Sequence, residues 1–528
     1  MSFYPFADRL RHHPDQDKSG QYKKTKTALA ALSISLSISG CALLSPEKPA
    51  TQLAEVTQTA DQRFDGMAID VLARAGTIGS GVESRIAGFE ALTGAKVNLT
   101  TIPYGEIYDT LKADWATSAP KYEMAVASPS WLIDFVQAGY VEDLTERVEA
   151  DSALVWEDVA PFFRTVSGAD DGRVYGLPVD GDFHMVYYRA DLLEEAGLTP
   201  PATWNEYLSI AQRFHGQDLN GDNTPDYGSC FAKEPNHLGY FMMTSIAMPY
   251  LQSQGTEQGA FFELESMKPL VNNEAFARAL DIYKQTSAYG VADDRNLTQP
   301  GARDLFLAGR CALTLDWGDI PILAADVENS TVVDKVGAAI TPGASEVLDR
   351  ATGKLVACDK FTCPYAINGI NHAPYAANMG FLSLVSAKAE PSAQAAAYAF
   401  ASYMSQPAQA NVDVTIGETG FNPYRISQFE DVQPWIDSGM SAESANNYLG
   451  ALGVTLNNPN MALDLKLPAG KRYQLEVLDP AITAFMKDEI TRDEAIAQIE
   501  QGWEDITNEI GRDAQKANYW TSLGRSPE

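Results

Sequence analysis

Residues 67–139 alternate apolar runs with segments of helical period, and that alternation restricts the chain to a layered α/β fold. Residues 67–72 form an apolar run of strand length, and 83–93 carry Ile86, Phe89 and Leu92 at helical spacing before stopping at Gly94. Residues 97–103 read as a second strand, 108–115 as a second helix and 122–127 as a third strand. Strands that alternate with helices predict a parallel, doubly wound sheet. Ligands of such sheets sit beyond the C-terminal strand ends. That rule singles out residues 73–80, Tyr104, Gly105 and Glu106, and residues 128–131. Trp131 reads two ways: as the first apolar residue of a helix over 131–139 that buries Leu132, Phe135 and Val136, or as a cleft ring stacked on a sugar face.

At 528 residues the chain is too long for one ordinary core, so two lobes are expected. Its 39 basic and 70 acidic side chains give a formal net charge of −31, which opposes binding to phosphate backbones and reads as solubility. Nucleic acid is therefore not an expected partner. Lys23, Lys24 and Lys26 precede the short, serine-rich apolar stretch 27–38, which reads as an export signal rather than a membrane span. The following Ile38-Ser39-Gly40-Cys41 resembles the bacterial lipobox, so lipidation of Cys41 is expected, with 1–40 as signal peptide and 41–65 as a lipidated, flexible tether. Cys230, Cys311, Cys358 and Cys363 then remain in an oxidising compartment, where disulfides are expected. Four cysteines allow three pairings; the short separation favours Cys358 with Cys363, which leaves Cys230 for Cys311. Zinc is disfavoured, since the thiols are scattered and none of the six His forms a ligand pair.

Residues 171–228 concentrate several signals. A turn at 174–178 feeds the extended run 182–188, and a short helix over 190–198 has Gly197 where a left-handed C-cap is expected. Thr203 then reads as an N-cap with Glu206 as its capping-box partner. Asp218, Asn220, Asp222, Thr224 and Asp226 follow at the alternate spacing of an EF-hand loop, but Ser229 stands where that loop needs a bidentate Glu. Both a structural calcium site and a bare Asx-turn loop fit.

The ordered motifs Tyr175-Gly-Leu-Pro, Val186-Tyr-Tyr followed by Ala196-Gly-Leu, and Pro201-Ala-Thr-Trp204 resemble the family 1 extracellular solute-binding proteins, the maltose-binding-like receptors of bacterial ABC importers. Further matches extend the resemblance over residues 66–515. It implies a type II periplasmic-binding fold of the Venus-flytrap kind: α/β, with two doubly wound lobes joined by three crossing segments. The N-terminal lobe would hold 66–182 and 380–422, the C-terminal lobe 183–379 and 423–515, and 516–528 would form a tail.

The resemblance places Asp182 and Phe183 at the cleft floor in the first crossing, next to His184, which has no catalytic partner placed by sequence. It has a strand over 311–315 deliver Asp316-Trp317-Gly318-Asp319; Trp317, flanked by acids and Gly, suits ligand contact better than a dry core. Phe381 falls in the second crossing. Arg425 ends the third, either as a cleft donor or in a lobe–lobe salt bridge, and Tyr473 is either a cleft aromatic or a surface ring. Thr491 and Glu494 read as a capping box that restarts a C-terminal helix. The implied function is a monomeric, lipid-anchored extracytoplasmic receptor, in the periplasm or at the cell surface, that hands a sugar, oligosaccharide or polyol to an ABC permease. Aromatics among carboxylates also suit polyamines. An exported glycosidase is the rival class, although no nucleophile elbow, zinc helix, P-loop or dinucleotide fingerprint is present.

Overall fold

The computed structural model describes residues 62–169, 172–236 and 238–525. The export signal, Cys41 and the tether up to residue 61 lie outside the described residues, as does Asp171. The chain builds strands β1 (Ala68–Arg74), β2 (Lys96–Ile102), β3 (Met124–Ala127), β4 (Gly176–Asp180), β5 (Met185–Arg189), β6 (Tyr227–Cys230), β7 (Cys311–Asp316) and β8 (Val336–Ile340). After them come β9 (Glu346–Asp349), β10 (Lys354–Ala357), β11 (Tyr375–Ala376), β12 (Phe381–Val385) and β13 (Ala462–Leu463).

One lobe is organised on the sheet β2-β1-β3-β12-β4 and the other on β6-β7-β5-β8. The expected parallel order holds for β1 with β2 and β3, and for β6 with β7. The sheets are mixed rather than wholly parallel, because β4, β5 and β12 lie beside the crossings and pair antiparallel with their neighbours. An antiparallel strand added to a parallel sheet is a common solution in α/β folds.

The local chemistry explains the elements. Thr203 caps the helix Trp204–Phe214 by accepting from the Glu206 amide, and the Glu206 carboxylate accepts from the Thr203 amide at 3.2 Å. The same reciprocal cap at Thr491 and Glu494 starts the helix Arg492–Ile510. The helix Thr77–Thr93 begins six residues before its apolar period does, because Gly79 and Gly81 carry no hydrophobic signal. A Cβ on Gly81 would meet the Phe421 ring at 2.7 Å. Likewise Tyr104–Trp115 starts straight after Pro103, so Tyr104 and Glu106 occupy a first helical turn rather than a loop. The segment expected as a tail continues the helix Arg512–Ser522, whose Tyr519 and Trp520 are buried.

Both expected disulfides are present, Cys230–Cys311 and Cys358–Cys363. The first staples β6 to β7. Among the described residues no helix is long and apolar enough to cross a membrane.

Candidate functional site

The chain passes between the lobes at three places, and their backbones touch. The Gly181 amide donates to Asn422 O at 3.1 Å, and the Asn422 amide donates to Asp180 Oδ1 at 2.6 Å. A Cβ on Gly181 would lie 2.3 Å from Pro423 O, and one on Gly380 would lie 2.1 Å from Asp180 O. Only glycine allows that approach. In the second crossing Asn378, Met379 and Gly380 all have positive φ, at 66°, 57° and 92°. Two consecutive non-glycine residues in the left-handed region store strain, which the surrounding contacts must hold.

Above this junction lies a small cavity between the lobes. The first lobe contributes Arg74 from the end of β1, Thr77 and Ile78 from the helix that follows, and Tyr104. The other lobe contributes Leu238, Phe241, Gln299, Arg303, Trp317 and Asp319. The crossings supply Asp180, Asp182, Asn378, Phe381, Gly420 and Asn422. The lobes meet around the cavity: Arg74 Nη2 donates to Gln299 Oε1 at 3.3 Å, and Ser130 Oγ to Asp464 Oδ2 at 3.2 Å. The Ala469 amide donates to Asp134 Oδ1 at 3.0 Å, and Lys471 pairs with Asp109.

Each wall is held by bonds behind it. The Trp317 indole N–H donates to Ala377 O at 3.1 Å, and the ring meets the His184 edge at 4.2 Å between centroids. His184 is buried against Ser245 Oγ at 2.6 Å, and burial lowers its pKa to about 3, so it stays neutral. Arg303 grips Asp316 through two bonds of 2.9 and 2.8 Å and also pairs with Asp319.

The carboxylates are strongly perturbed. Burial, then the nearby Asp319 charge, raises Asp182 to about 7. Burial and the Asp182 charge push Asp180 well above the usual range, and burial raises Asp319 despite Arg303. Opposite them, burial lowers Arg74, while Asp182 works to raise it.

Of the residues singled out from sequence, Tyr104, Asp182, Trp317 and Phe381 line this cavity, together with Arg74, Thr77 and Ile78 of 73–80 and Asp319 of 316–319. Six others lie elsewhere. Glu106 is exposed on the first turn of its helix, where a negative charge complements the helix N-terminus. Trp131 stands behind Tyr104 with ring centroids 5.1 Å apart, and Phe183 is packed in the core. Arg425 is not a cleft donor: it is wholly buried, bonded to Leu154 O at 2.8 Å and in a salt bridge to Asp158 Oδ2 at 3.2 Å, a pair that joins segments 423–515 and 66–182. Tyr473 is also buried rather than at a surface or in the cleft, its hydroxyl 2.9 Å from Thr507 Oγ1. Asp316 stands one layer back and supports Arg303.

Asp180, Asn378, Asn422, Gln299, Arg303 and Phe241 line the cavity without having been singled out. The strand-end rule, applied to β4, reaches Asp180; no comparable signal marks Phe241, which lies in the wholly buried helix Gly239–Leu251.

The loop 218–226 is closed by its own polar groups. Asp218 accepts the Gly221 and Asn223 amides at 2.7 and 2.8 Å, Asp222 accepts the Thr224 amide at 2.8 Å, and Asp226 pairs with Arg310 at 2.8 Å. Asn223 adopts the left-handed conformation such a turn needs. Among the described residues no three His, Cys, Asp or Glu side chains are grouped to hold a metal ion.

Residues 75–411 match the family model of the bacterial extracellular solute-binding protein. A mannitol-binding protein of Pseudomonas aeruginosa is 27% identical over 256 residues, which is 46% of this chain and 53% of that protein. A Brucella abortus relative, 26% identical, aligns over 47% of this chain and 56% of its own length, so the chain spans about half the length of these curated relatives. In fold it is similar to an ABC transporter solute-binding protein from Agrobacterium radiobacter K84 in complex with ribitol, with a TM-score of 0.65 at 19% identity over 84% of this chain and 99% of that one. The same holds for one from Agrobacterium vitis S4 with bound D-mannitol, with a TM-score of 0.65 at 17% identity over 84% and 99%.

Proposed function

The chain belongs to the bacterial extracellular solute-binding proteins, and on that premise we propose that it is a receptor that closes two lobes over a sugar or polyol and delivers it to an ABC transporter permease. The observation that carries this reading is the cleft lining, where the rings of Tyr104, Phe241, Trp317 and Phe381 stand beside Asp180, Asp182, Asn378 and Asn422. Ring faces suit the CH patches of a polyhydroxylated ligand, and acids and amides suit its hydroxyls. A solute touching Tyr104 and Trp317 at once contacts both lobes, which is the differential interaction that closure requires. The mannitol-binding relative and the ribitol and D-mannitol complexes of the structural neighbours support the same ligand chemistry. Two guanidinium groups in the cleft, Arg74 and Arg303, disfavour a polyamine.

In this reading the solute is bound and returned unchanged, and the receptor works as a monomer held to the membrane through a lipid on Cys41. We read the loop 218–226 as a self-bonded turn rather than a calcium site, because its acids already have partners.

The test is a thermal-shift panel of D-mannitol, ribitol, maltose and spermidine on the purified full chain. A ligand at a hundredfold its dissociation constant adds about 2.7 kcal/mol. A rise with a sugar or polyol is the expected result. A rise with spermidine alone, or turnover of maltose, overturns the reading.

A further inference from the structure

Asp180 and Asp182 sit on alternate residues of the first crossing, both in the cavity lining and both almost fully buried. Asn422 spans the pair: its backbone amide donates to Asp180 Oδ1 at 2.6 Å, and its side-chain Nδ2 to Asp182 Oδ1 at 3.3 Å. Asn378 Nδ2 approaches Asp182 Oδ2 at 3.4 Å. Asp180 Oδ2 is buried with no donor on it, and the two carboxyl groups lie within hydrogen-bonding reach of each other. Two carboxylate oxygens in that position repel unless a proton lies between them.

The surroundings do not neutralise the pair. Asp319 faces it from beyond β7 and adds a third negative charge. Arg303 is committed to Asp316 and Asp319, which leaves Arg74, at the end of β1, as the opposing cation. The other titratable groups facing the pair are the Tyr448 and Tyr104 hydroxyls, and burial raises the pKa of both, so they stay neutral.

We infer that Asp180 and Asp182 act as one acid pair sharing a single proton, and that this protonated pair is the specificity element for an uncharged polyol or monosaccharide. The inference rests on the receptor reading above. The protonated pair offers a ligand hydroxyl both a donor and acceptors. Deprotonation leaves two adjacent buried charges that favour an ammonium group over a hydroxyl. Neutral solute therefore binds together with one proton, which the pair takes from solvent whenever it was ionised beforehand. Both raised acids point the same way: the proton is present at acidic and neutral pH and leaves as the pH rises, so affinity for a neutral solute is lost in the alkaline direction.

Isothermal titration of the full chain with D-mannitol, ribitol, maltose and D-glucosamine between pH 5.5 and 9 tests this. The expected result is a flat affinity for the neutral ligand at low pH, then a fall of about tenfold per pH unit once the proton leaves. Asp180→Asn, whose amide neither takes up nor releases the proton, is expected to weaken binding of the neutral ligand at low pH but to flatten the profile. Asp182→Asn is the second variant should the first fail to fold, as judged by thermal unfolding. A neutral ligand that binds equally across the range, or a variant that keeps the full pH dependence, overturns the shared proton while leaving the receptor reading intact. D-glucosamine that binds in preference to every neutral ligand at pH 5.5, where its amine is charged and the pair holds its proton, also overturns it. No binding by any sugar or polyol at any pH overturns both.

Discussion

The Tyr104 hydroxyl donates to Asn378 Oδ1 at 3.0 Å, joining the first turn of a first-lobe helix to the strained second crossing. The same Asn378 reaches Asp182 with its amide nitrogen, so one side chain connects a wall to the acid pair. Tyr104→Phe keeps the ring and leaves Asn378 Oδ1 short of this donor. An unmet buried acceptor costs about 1–3 kcal/mol. Because the bond fixes a cavity-lining ring to the crossing beside the acid pair, we expect most of that cost to appear as an affinity loss of about tenfold, read by calorimetry with D-mannitol. An unchanged dissociation constant would place the bond outside solute binding.

Arg303 carries two buried carboxylates, Asp316 and Asp319. Arg303→Met leaves both without their cation, and removing one partner of a buried ion pair destabilises by about 3–5 kcal/mol. The melting temperature should fall by several degrees even without ligand. The double change Arg303→Met with Asp316→Asn should recover part of the loss. Recovery to no degree would mean that the arginine acts through packing alone.

The loop 218–226 satisfies its acids with its own amides, Thr224 and Arg310. A chelator is therefore expected to leave the melting temperature within about a degree of its value in calcium, whereas occupancy at a hundredfold the dissociation constant would add about 2.7 kcal/mol. A chelator-sensitive shift of several degrees would restore the calcium reading.

Much of the fold was legible because its signals are local. The capping boxes at Thr203 and Thr491, the helix end at Gly94 and the first three strands follow from residues close in sequence. The strand-end rule also led to Tyr104, and the acid-flanked Trp317 to the opposite wall. What was hidden depends on long-range contact. Trp131 and Tyr104 are both aromatic and both follow strands, and only packing decides which stands in front. Arg425 has the chemistry of a cleft donor, yet the carbonyls that claim it come from residues 154–155 and 405. Gln299 and Arg303 face the site from a helix whose sequence shows only an ordinary amphipathic pattern.

The contact of three backbones at Gly181, Gly380 and Asn422 has a practical consequence for anyone redesigning the proposed receptor as a sensor. In the proposed receptor, the crossing residues about which the lobes would pivot are also neighbours of the acids that would face the solute. Changes at the floor made to alter which solute is chosen will alter how readily the lobes swing, so selectivity and signal amplitude will shift together. The aromatic walls, set away from the pivot, offer the positions where selectivity can be tuned with the mechanics left alone.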